Sequence, residues 1–299
     1  MMNWNAYKNG FKAFLLLERK LSKKSVEAYL SDLRKFHKFV ATTETKSIKE
    51  ITTKNCQAFL QELGELGIAQ SSQARVLSSL KSFFKYLSFE KIIVENPAEL
   101  LEAPRQSRKI PAILSLEEIN LMLKTIDQST PEGVRNKAII ETLYACGLRV
   151  SELVNLQISD LYLEIKYIKV IGKGDKDRLV PINSAATKQI KIYQTEIRKK
   201  MKIAAGHEDI LFLNRRGKQL TRVMIFLIVK KAAKAAGLVK NVSPHTFRHS
   251  FATHLYENGA DLRMTQDMLG HESITTTEIY SHISTQHLRD ALMQFHPRF

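Results

Sequence analysis

The stretch from residue 243 to residue 280 holds side chains of types that can converge on one phosphate group. They are His245, Arg248, His271 and Tyr280. A phenol can attack phosphorus once a base removes its proton, an imidazole can take that proton, and a guanidinium can bind phosphate oxygens with paired N–H donors. Each of these residues alone is more often a surface or core group. Their combination favours chemistry at phosphorus.

The first two of these residues are predicted to share one helix. Ser243 followed by Pro244 is a helix-start signal, and the helix should run to residue 255 or 256. His245 and Arg248 then lie one turn apart on the same face. An apolar stripe on another face consists of Phe247, Phe251 and Leu255. We expect the helix to pack by that stripe and to present His245 with Arg248.

Two glycines position the other two residues. Gly259 ends the first helix, Asp261 can cap the next one, and Gly270 can close it. His271 is therefore predicted on the turn immediately after that helix. Tyr280 follows on a short helix that opens at 273–277.

A zinc site is the alternative interpretation of the first helix, because His245 and His249 have the spacing of two zinc-binding histidines. The glutamate of the H-E-x-x-H motif is absent. Cys56 and Cys146 are remote in the sequence and have no metal or redox spacing. We therefore expect no metal site.

One more arginine is predicted to lie between two helix ends. The helix Arg135–Cys146 should stop at Gly147, and a new helix should begin at Ser151. Arg149 would be held between them with little freedom, which suits a phosphate clamp. An ion pair with Glu152 is the alternative role for this arginine.

A β-hairpin follows and carries a lysine at its turn. Strands are predicted at 166–170 and 178–182, joined by the turn 172–177. Lys173 lies between two glycines, which allow close approach of the backbone to a ligand. The turn is not a P-loop, which needs G-x-x-x-x-G-K-[ST] before a helix. A solvated hairpin lysine is the alternative.

The overall charge indicates an anionic partner. The 299 residues include 46 Lys and Arg against 30 Asp and Glu, which gives a formal charge of +16, and the pI is about 9.7. Such a basic surface favours an extended polyanion, with an anionic membrane as the rival. Because no apolar run reaches transmembrane length and the N-terminus lacks a signal peptide's apolar core, we expect a cytoplasmic, nucleoid-associated protein that does not bind membranes.

The patterning predicts a mainly α protein with a small β-sheet or hairpin, built from about two domains. Residues 1–103 are predicted to form a helical bundle, residues 104–111 a positively charged linker, and residues 112–299 an α+β domain. The helices of the bundle are predicted at 5–19, 25–40, 53–63 and 71–90. Those of the second domain include one that starts at a capping box of Ser115 with Glu118, and others at 186–204, 221–236 and 285–295, with a short strand at 210–213.

The first domain offers candidate DNA-reading residues at its helix starts. They are Lys23, Lys24, Gln73 and Arg75. Charges on helices are usually solvated faces, and that is the alternative here. The strongly basic chain favours a domain that grips DNA.

With these pieces in place, the chain resembles the tyrosine recombinase (phage integrase) family, and most of all the Xer recombinases of XerC and XerD type. The resemblance covers essentially the whole chain. It is carried by LSKKSVEAYLSDLRKFHKF at 21–39, CGLRVSEL at 146–153, GKGDKDRLVPI at 172–182, SPHTFRHSFATHL at 243–255 and LGHESITTTEIYSH at 269–282. It implies a core-binding domain followed by a catalytic domain. The implied catalytic set is Arg149, Lys173, His245, Arg248, His271 and Tyr280.

The resemblance also implies roles for these residues. Tyr280 attacks a DNA phosphodiester and forms a 3′-phosphotyrosine, while His245 acts as the acid/base for that step. Arg149 and Arg248 grip the non-bridging oxygens, Lys173 protonates the leaving 5′ oxygen, and the second histidine of the set is a further phosphate donor. Because the covalent intermediate conserves the bond energy, neither a metal nor another cofactor is expected.

Partners follow from the same resemblance. They are double-stranded DNA with a palindromic dif-like site, a homo- or hetero-tetramer on two such sites, a second Xer recombinase and an FtsK-type DNA translocase. In the family a C-terminal helix, here 285–295, docks on a neighbouring subunit, and packing on its own chain is the alternative. The implied role is resolution of chromosome dimers. The rivals are an invertase or mobile-element integrase, a type IB topoisomerase-like enzyme, and a non-catalytic DNA-binding protein.

Overall fold

A computed structural model describes residues 4–43, 45–104, 112–172, 177–269 and 284–299. The chain divides into two compact units, Met1–Lys109 and Ile110–Phe299. The described residues are mostly helical, and the second unit adds a three-stranded antiparallel sheet. The expected fold class, mainly α with a small β-sheet in the second half, is confirmed.

The first unit is built from four helices. They are α1 (Trp4–Leu17), α2 (Lys23–Val40), α3 (Thr53–Glu65) and α4 (Gln70–Phe89). Helix α2 begins two residues earlier than predicted, because the Ser22 side chain accepts a hydrogen bond from the Ser25 backbone N–H and caps the helix there. Helix α3 continues two residues past its predicted end at residue 63, through Gly64.

An aromatic core holds three of these helices together. Phe11 of α1, Phe36 of α2 and Phe83 and Phe84 of α4 are completely buried. Phe36 meets Phe84 edge to face, with 5.9 Å between the ring centroids, and Phe11 meets Phe83 in the same way at 5.3 Å. Because the paired rings come from different helices, their packing fixes the helices against one another.

The second unit begins with α5 (Leu116–Lys124), α6 (Pro131–Cys146) and α7 (Val150–Asn155). The capping box predicted for α5 is present: Ser115 Oγ accepts from the Glu118 N–H, and Glu118 Oε2 accepts from the Ser115 N–H. Helix α6 is buried along most of its length and stops at Gly147, whose φ of 56° is left-handed. The chain therefore changes direction at Gly147, two residues before Arg149.

The sheet contains the predicted hairpin and one further strand. Its strands are β1 (Leu161–Tyr162), β2 (Tyr167–Ile171) and β3 (Asp177–Pro181), paired in the order β1-β2-β3. Strands β2 and β3 pair from Tyr167 with Pro181 to Ile171 with Asp177. Strand β1 was not predicted, because two residues are too few to give an alternating pattern.

Between residues 186 and 213 the predicted helix is present but irregular, and the predicted strand is wrong. Helix α8 spans only Ser184–Ile192 and passes into a π-helical turn, Tyr193–Ile197, and a 3-10 turn, Arg198–Lys200. Residues 210–213 form isolated bridges rather than a strand. Side chains there supply the hydrogen bonds that a neighbouring strand would make. Tyr193 Oη accepts from the Leu213 N–H at 3.1 Å, and Arg198 Nε donates to the Ile210 carbonyl at 3.1 Å.

The remaining helices are α9 (Arg222–Ala235), α10 (Pro244–Glu257), α11 (Leu262–Leu269) and α12 (Ser284–Phe295). The predicted boundaries of α9, α10 and α12 agree to within about two residues. Most of the expected linker, residues 105–111, and the short helix expected at 273–277 lie outside the described residues.

Helix α12 and the C-terminus pack on the unit that contains them. Leu292 is completely buried in its core. Arg298 Nη2 donates to Glu141 Oε1 of α6 at 2.7 Å, and Asn258 Nδ2 donates to the Phe295 carbonyl at 2.7 Å. In the single chain, therefore, the C-terminal segment has the arrangement that the sequence offered as the alternative to docking on a neighbour.

Candidate active site

Arg149 lies between α6 and α7, where the sequence predicted it. Gly147 has no room for a side chain, because a Cβ there would lie 2.7 Å from the Phe251 ring. Arg149 is the N-cap residue of α7, and its backbone N–H donates to Glu152 Oε2 at 2.9 Å. The backbone is thus fixed by two helix ends, while the side chain stays 30% exposed.

Glu152 is the buried carboxylate of the site. It accepts from the backbone N–H and Nη1 of Arg149, both at 2.9 Å, and from Nη1 and Nη2 of Arg178 at 3.0 and 2.9 Å. These four bonds match the roughly four acceptor positions of a carboxylate. Burial raises the pKa of Glu152, but the hydrogen bonds and charges of Arg178 and Arg149 outweigh it, so the pKa lies below its usual range. The ion pair considered as the alternative role of Arg149 is present.

Arg248 reaches the same region from α10 and is 7% exposed. Its Nη1 donates to the Gly147 carbonyl at 2.8 Å, and its Nη2 donates to the Leu269 carbonyl at 2.6 Å. Burial, reinforced by the positive charge of Arg149, lowers the pKa of Arg248 to about 10. The guanidinium therefore remains charged at neutral pH. Burying this charge costs free energy unless acceptor or anionic groups surround it.

The C-terminal end of α11 is where the arginines meet. Arg149 Nη1 donates to the Leu269 carbonyl at 3.3 Å, beside the bond from Arg248, and Arg178 Nε donates to the Met268 carbonyl at 3.2 Å. The last carbonyls of a helix have no partner within it and form the negative end of its dipole. Three guanidinium groups therefore converge where the chain leaves α11 toward His271.

The charge of this cluster defines its chemistry. Among the residues that the structure describes here, three guanidinium groups surround one carboxylate, which gives these four side chains a net positive charge. Planar guanidiniums bind phosphate oxygens in pairs, so a phosphate group fits this charge and these donors. Among the residues that the structure describes, no group of three or more His, Cys, Asp or Glu is placed to hold a metal ion.

His245 lies one turn before Arg248 on α10. The predicted apolar stripe is correct, because Phe247, Phe251 and Leu255 are completely buried. The two polar residues differ, however: His245 is exposed, whereas Arg248 is buried. Helix α10 thus carries an exposed imidazole and, one turn later, a buried guanidinium.

Lys173, His271 and Tyr280 lie outside the described residues. Of the six predicted catalytic residues, the structure brings Arg149 and Arg248 onto one carbonyl oxygen and places His245 on the same helix as Arg248. Sequence reasoning missed Arg178. Its signal was its place on the inward face of β3, which it shares with the buried Val180.

Two family models match the chain. The N-terminal SAM-like domain of phage integrases matches residues 9–91, and the phage integrase family matches residues 112–287, which is more than half of the sequence. The chain belongs to the phage integrase family. It is a tyrosine recombinase, an enzyme that cleaves and rejoins DNA in site-specific recombination.

Known relatives match the recombinase over nearly its whole length. Tyrosine recombinase XerD of Listeria innocua is 42% identical over 289 residues, which cover 96% of this chain and 97% of the relative. Tyrosine recombinase XerD of Chlorobaculum tepidum is 41% identical over 298 residues, covering 99% and 97%. Among solved structures, XerH site-specific recombinase bound to palindromic difH substrate in a post-cleavage complex has a TM-score of 0.72 at 29% identity, covering 91% of this chain and 80% of that one.

The candidate DNA-reading residues of the recombinase lie at the start of two helices of the first unit. Lys23 and Lys24 are exposed in the first turn of α2. Gln73 Nε2 donates to the Ile68 carbonyl at 2.7 Å, so this amide closes the turn before α4. Arg75 is paired with the buried Asp32 of α2, and its side chain is 41% exposed.

Across the described parts of the recombinase, every helix is too short or too polar to cross a bilayer.

Proposed function

We propose that this recombinase exchanges DNA strands at a palindromic dif-type site and thereby resolves chromosome dimers at the nucleoid. The observation that carries this proposal is the match of about 40% identity, over nearly both whole chains, to relatives named tyrosine recombinase XerD. The palindromic difH substrate bound by the related XerH supports the same class of site. The positively charged cluster of the second unit supplies the chemistry that strand cleavage needs.

In the proposed reaction Tyr280 attacks the scissile phosphorus. The bond from phosphorus to the 5′ oxygen breaks, and a 3′-phosphotyrosine forms. A phenol has a pKa near 10, so its proton must leave as it attacks, and His245 on the exposed start of α10 is the base. Lys173 gives a proton to the departing 5′ oxygen. The freed 5′ hydroxyl then attacks the phosphotyrosine of the partner strand and rejoins the DNA.

The arginines act on the charge that builds during this attack. The non-bridging oxygens carry more charge in the pentavalent transition state. Arg149, at the start of α7, and Arg248, on α10, both reach the Leu269 carbonyl and so lie close enough to act on one phosphate. A donor aimed at developing charge in a partly buried site is worth on the order of 2.7–4 kcal/mol. His271 adds a further donor. Because the phosphotyrosine conserves the bond energy, the reaction uses neither ATP nor a metal.

The proposed assembly is a tetramer on two DNA sites, formed by this chain alone or with a second Xer recombinase, and activated by an FtsK-type translocase. The C-terminal helix α12 would then leave the position it has in the single chain and dock on a neighbour. Leu292 is completely buried and Arg298 is paired with Glu141. Docking on a neighbour would therefore exchange these contacts within the chain for equivalent contacts between subunits.

Covalent trapping tests the proposed reaction. A duplex with a dif-like palindrome and a nick beside the scissile phosphate loses its short 5′-hydroxyl fragment after cleavage, so the phosphotyrosine cannot reverse. Wild-type protein should give a denaturant-resistant adduct on the palindrome and much less on a scrambled duplex. Tyr280→Phe should give none.

The outcomes separate the rival functions. An adduct in Tyr280→Phe, or no adduct on any duplex, would overturn the catalytic assignment and favour a DNA-binding protein. Equal cleavage of palindromic and scrambled DNA, with relaxation of supercoiled plasmid by the monomer, would favour a topoisomerase-like activity. A preference for mobile-element ends over a dif-type palindrome would leave the chemistry in place and replace the chromosomal role.

A further inference from the structure

Arg178 connects three elements of the catalytic unit through one side chain. It extends from β3, makes a two-pronged hydrogen bond to Glu152 of α7, and donates from Nε to the Met268 carbonyl at the end of α11. Its side chain is 16% exposed and that of Glu152 is 2% exposed. The guanidinium donates from Nε on one side and from Nη1 and Nη2 at its end, a geometry that a lysine does not reproduce.

We propose that Arg178 is a positioning residue for strand cleavage: it holds Glu152 so that Glu152 holds Arg149, and it fixes the start of β3 to the end of α11. The inference rests on the proposed role of Arg149 as a phosphate clamp. It adds a residue outside the six of the proposed catalytic set.

The hydrogen-bond capacity of Glu152 explains why one arginine matters to the other. Arg149 fills two acceptor positions of the carboxylate and Arg178 fills the other two. Without Arg178, a buried anion loses half of its donors. It must then draw Arg149 further toward itself or take up a proton, and either response changes the direction in which the Arg149 guanidinium points.

The position of Arg178 on its strand adds a second effect. Arg178 is five residues after Lys173, and Ile171 and Asp177 are paired across the hairpin just before it. The Met268 carbonyl that it binds precedes Leu269, the residue whose carbonyl receives both Arg149 and Arg248. The same side chain therefore joins the strand that follows the catalytic lysine to the helix end on which both arginines converge.

The test compares Arg178→Gln, Arg178→Lys and a matched control, Arg215→Gln. Arg215 belongs to the same unit and pairs with Glu132, but its side chain is 86% exposed. For each protein, the amount of adduct on the nicked palindrome is followed in single turnover over a range of protein concentrations. One series gives both the maximal cleavage rate and the concentration for half-saturation. Circular dichroism and thermal melting identify a temperature at which every variant is folded.

We expect Arg178→Gln to lower the maximal rate by about 10- to 100-fold, the range seen when a residue that orients a metal ligand is removed. The half-saturating concentration should change by less than about threefold, since phosphate contacts elsewhere dominate binding. Arg178→Lys should recover only part of the loss, because a point charge cannot bridge both carboxylate oxygens. Arg215→Gln should match wild type.

The pH profile distinguishes positioning from general support of the fold. The charged groups that face Glu152 are Arg149 from α7, Arg178 from β3 and Arg248 from α10. Burial alone raises the pKa of Glu152, so removing Arg178 should move its protonation toward neutral pH. The rate of Arg178→Gln should then fall further below wild type as the pH is lowered from about 8 to 5.5. In the double variant with Glu152→Gln, this additional fall should disappear.

The proposal is overturned if folded Arg178→Gln cleaves at the wild-type maximal rate. It is also overturned if the rate falls by the same factor at every pH and in the Glu152→Gln background, which is the pattern of independent sites. Failure of the proposed function looks different: Tyr280→Phe and Arg149→Ala would then cleave like wild type in the same assay.

Discussion

Asp32 in the first unit and Glu152 in the second are both buried carboxylates that accept hydrogen bonds from arginine. Asp32 serves one arginine, Arg75 of the neighbouring helix. Glu152 serves two, one from its own helix end and one from the sheet. Among the described residues, the number of arginines per carboxylate is therefore one difference between the two sites.

That difference sets the balance of arginine and carboxylate charge among the described side chains of each site. Asp32 balances the charge of Arg75 and orients it at the surface, where its side chain remains 41% exposed. Glu152 cannot balance both of its arginines, and the buried Arg248 adds a third positive charge. Charges act more strongly in a partly buried site than in water. We therefore expect the first site to govern DNA affinity and the second to govern the rate of cleavage.

The largest expected effect is that of Arg248→Ala. It removes one clamp on the developing charge, so the maximal cleavage rate should fall by about 10²- to 10³-fold, or roughly 2.7–4 kcal/mol. The dissociation constant for the palindrome should change little. Single-turnover cleavage and gel-shift titration measure the two quantities. A variant that loses affinity while it keeps the rate would break the distinction between the two sites.

Arg75→Gln should have the opposite effect. It removes the partly exposed arginine that Asp32 orients, and loss of a base-reading arginine costs roughly 1–3 kcal/mol of affinity for the specific site. Cleavage at saturating protein should keep its rate. Asp32→Asn should act in the same direction but more weakly, because Arg75 is still present but less well oriented. If Arg75→Gln binds palindromic and scrambled DNA as wild type does, Arg75 is only a link between helices.

Acid should weaken the second unit through His296. Burial lowers the pKa of His296 to about 3, far below the value of about 6.5 in an unfolded chain. As the pH falls below about 6.5, His296 binds a proton in the unfolded chain but not in the folded one, so the free energy of unfolding decreases. Between about pH 7 and pH 5, this residue should cost roughly 1–2 kcal/mol.

The check is urea unfolding of wild type and His296→Phe at both pH values. The phenylalanine keeps an aromatic ring beside Tyr144 and Phe251, and it should remove this part of the pH dependence. Trp4, the single tryptophan of the sequence, lies in the first unit and reports that unit separately by fluorescence. An equal pH dependence in both proteins would contradict the assignment.

The smallest expected effect belongs to Lys24→Gln. An exposed lysine in the first turn of α2 is a candidate phosphate contact rather than a base contact. Its loss should weaken binding equally on palindromic and scrambled DNA and should lower the slope of log affinity against log salt by about 0.9. An unchanged slope would place Lys24 outside the DNA interface.

Much of the fold followed from local signals. Capping groups such as Ser115 with Glu118, and apolar spacing such as that of Phe247 and Phe251, are local and were interpreted correctly. The failures came where side chains distant in sequence satisfy the backbone. Residues 210–213 resemble a strand, yet Tyr193 and Arg198 supply the hydrogen bonds that a neighbouring strand would have supplied.

The positions of two candidate site residues relative to their helices were predictable from local signals. Arg149 beside a helix-ending glycine and Arg248 on an amphipathic helix were of this kind. Arg178 was not, because a strand arginine next to a lysine-rich turn resembles a surface residue until its partner is known. The partner, Glu152, is 26 positions away in the chain. That Glu152 binds Arg178 as well as Arg149 is decided by tertiary packing.

The central claim, that the second unit cleaves DNA with Tyr280, is tested most directly by locating the covalent bond. The adduct trapped on the nicked palindrome is digested with nuclease and trypsin, and the peptide that carries the 3′ nucleotide is identified by mass spectrometry. The tryptic peptide from Met264 to Arg289 contains Tyr280 as its single tyrosine. The nucleotide is predicted on that tyrosine. A nucleotide on any other residue would contradict the account.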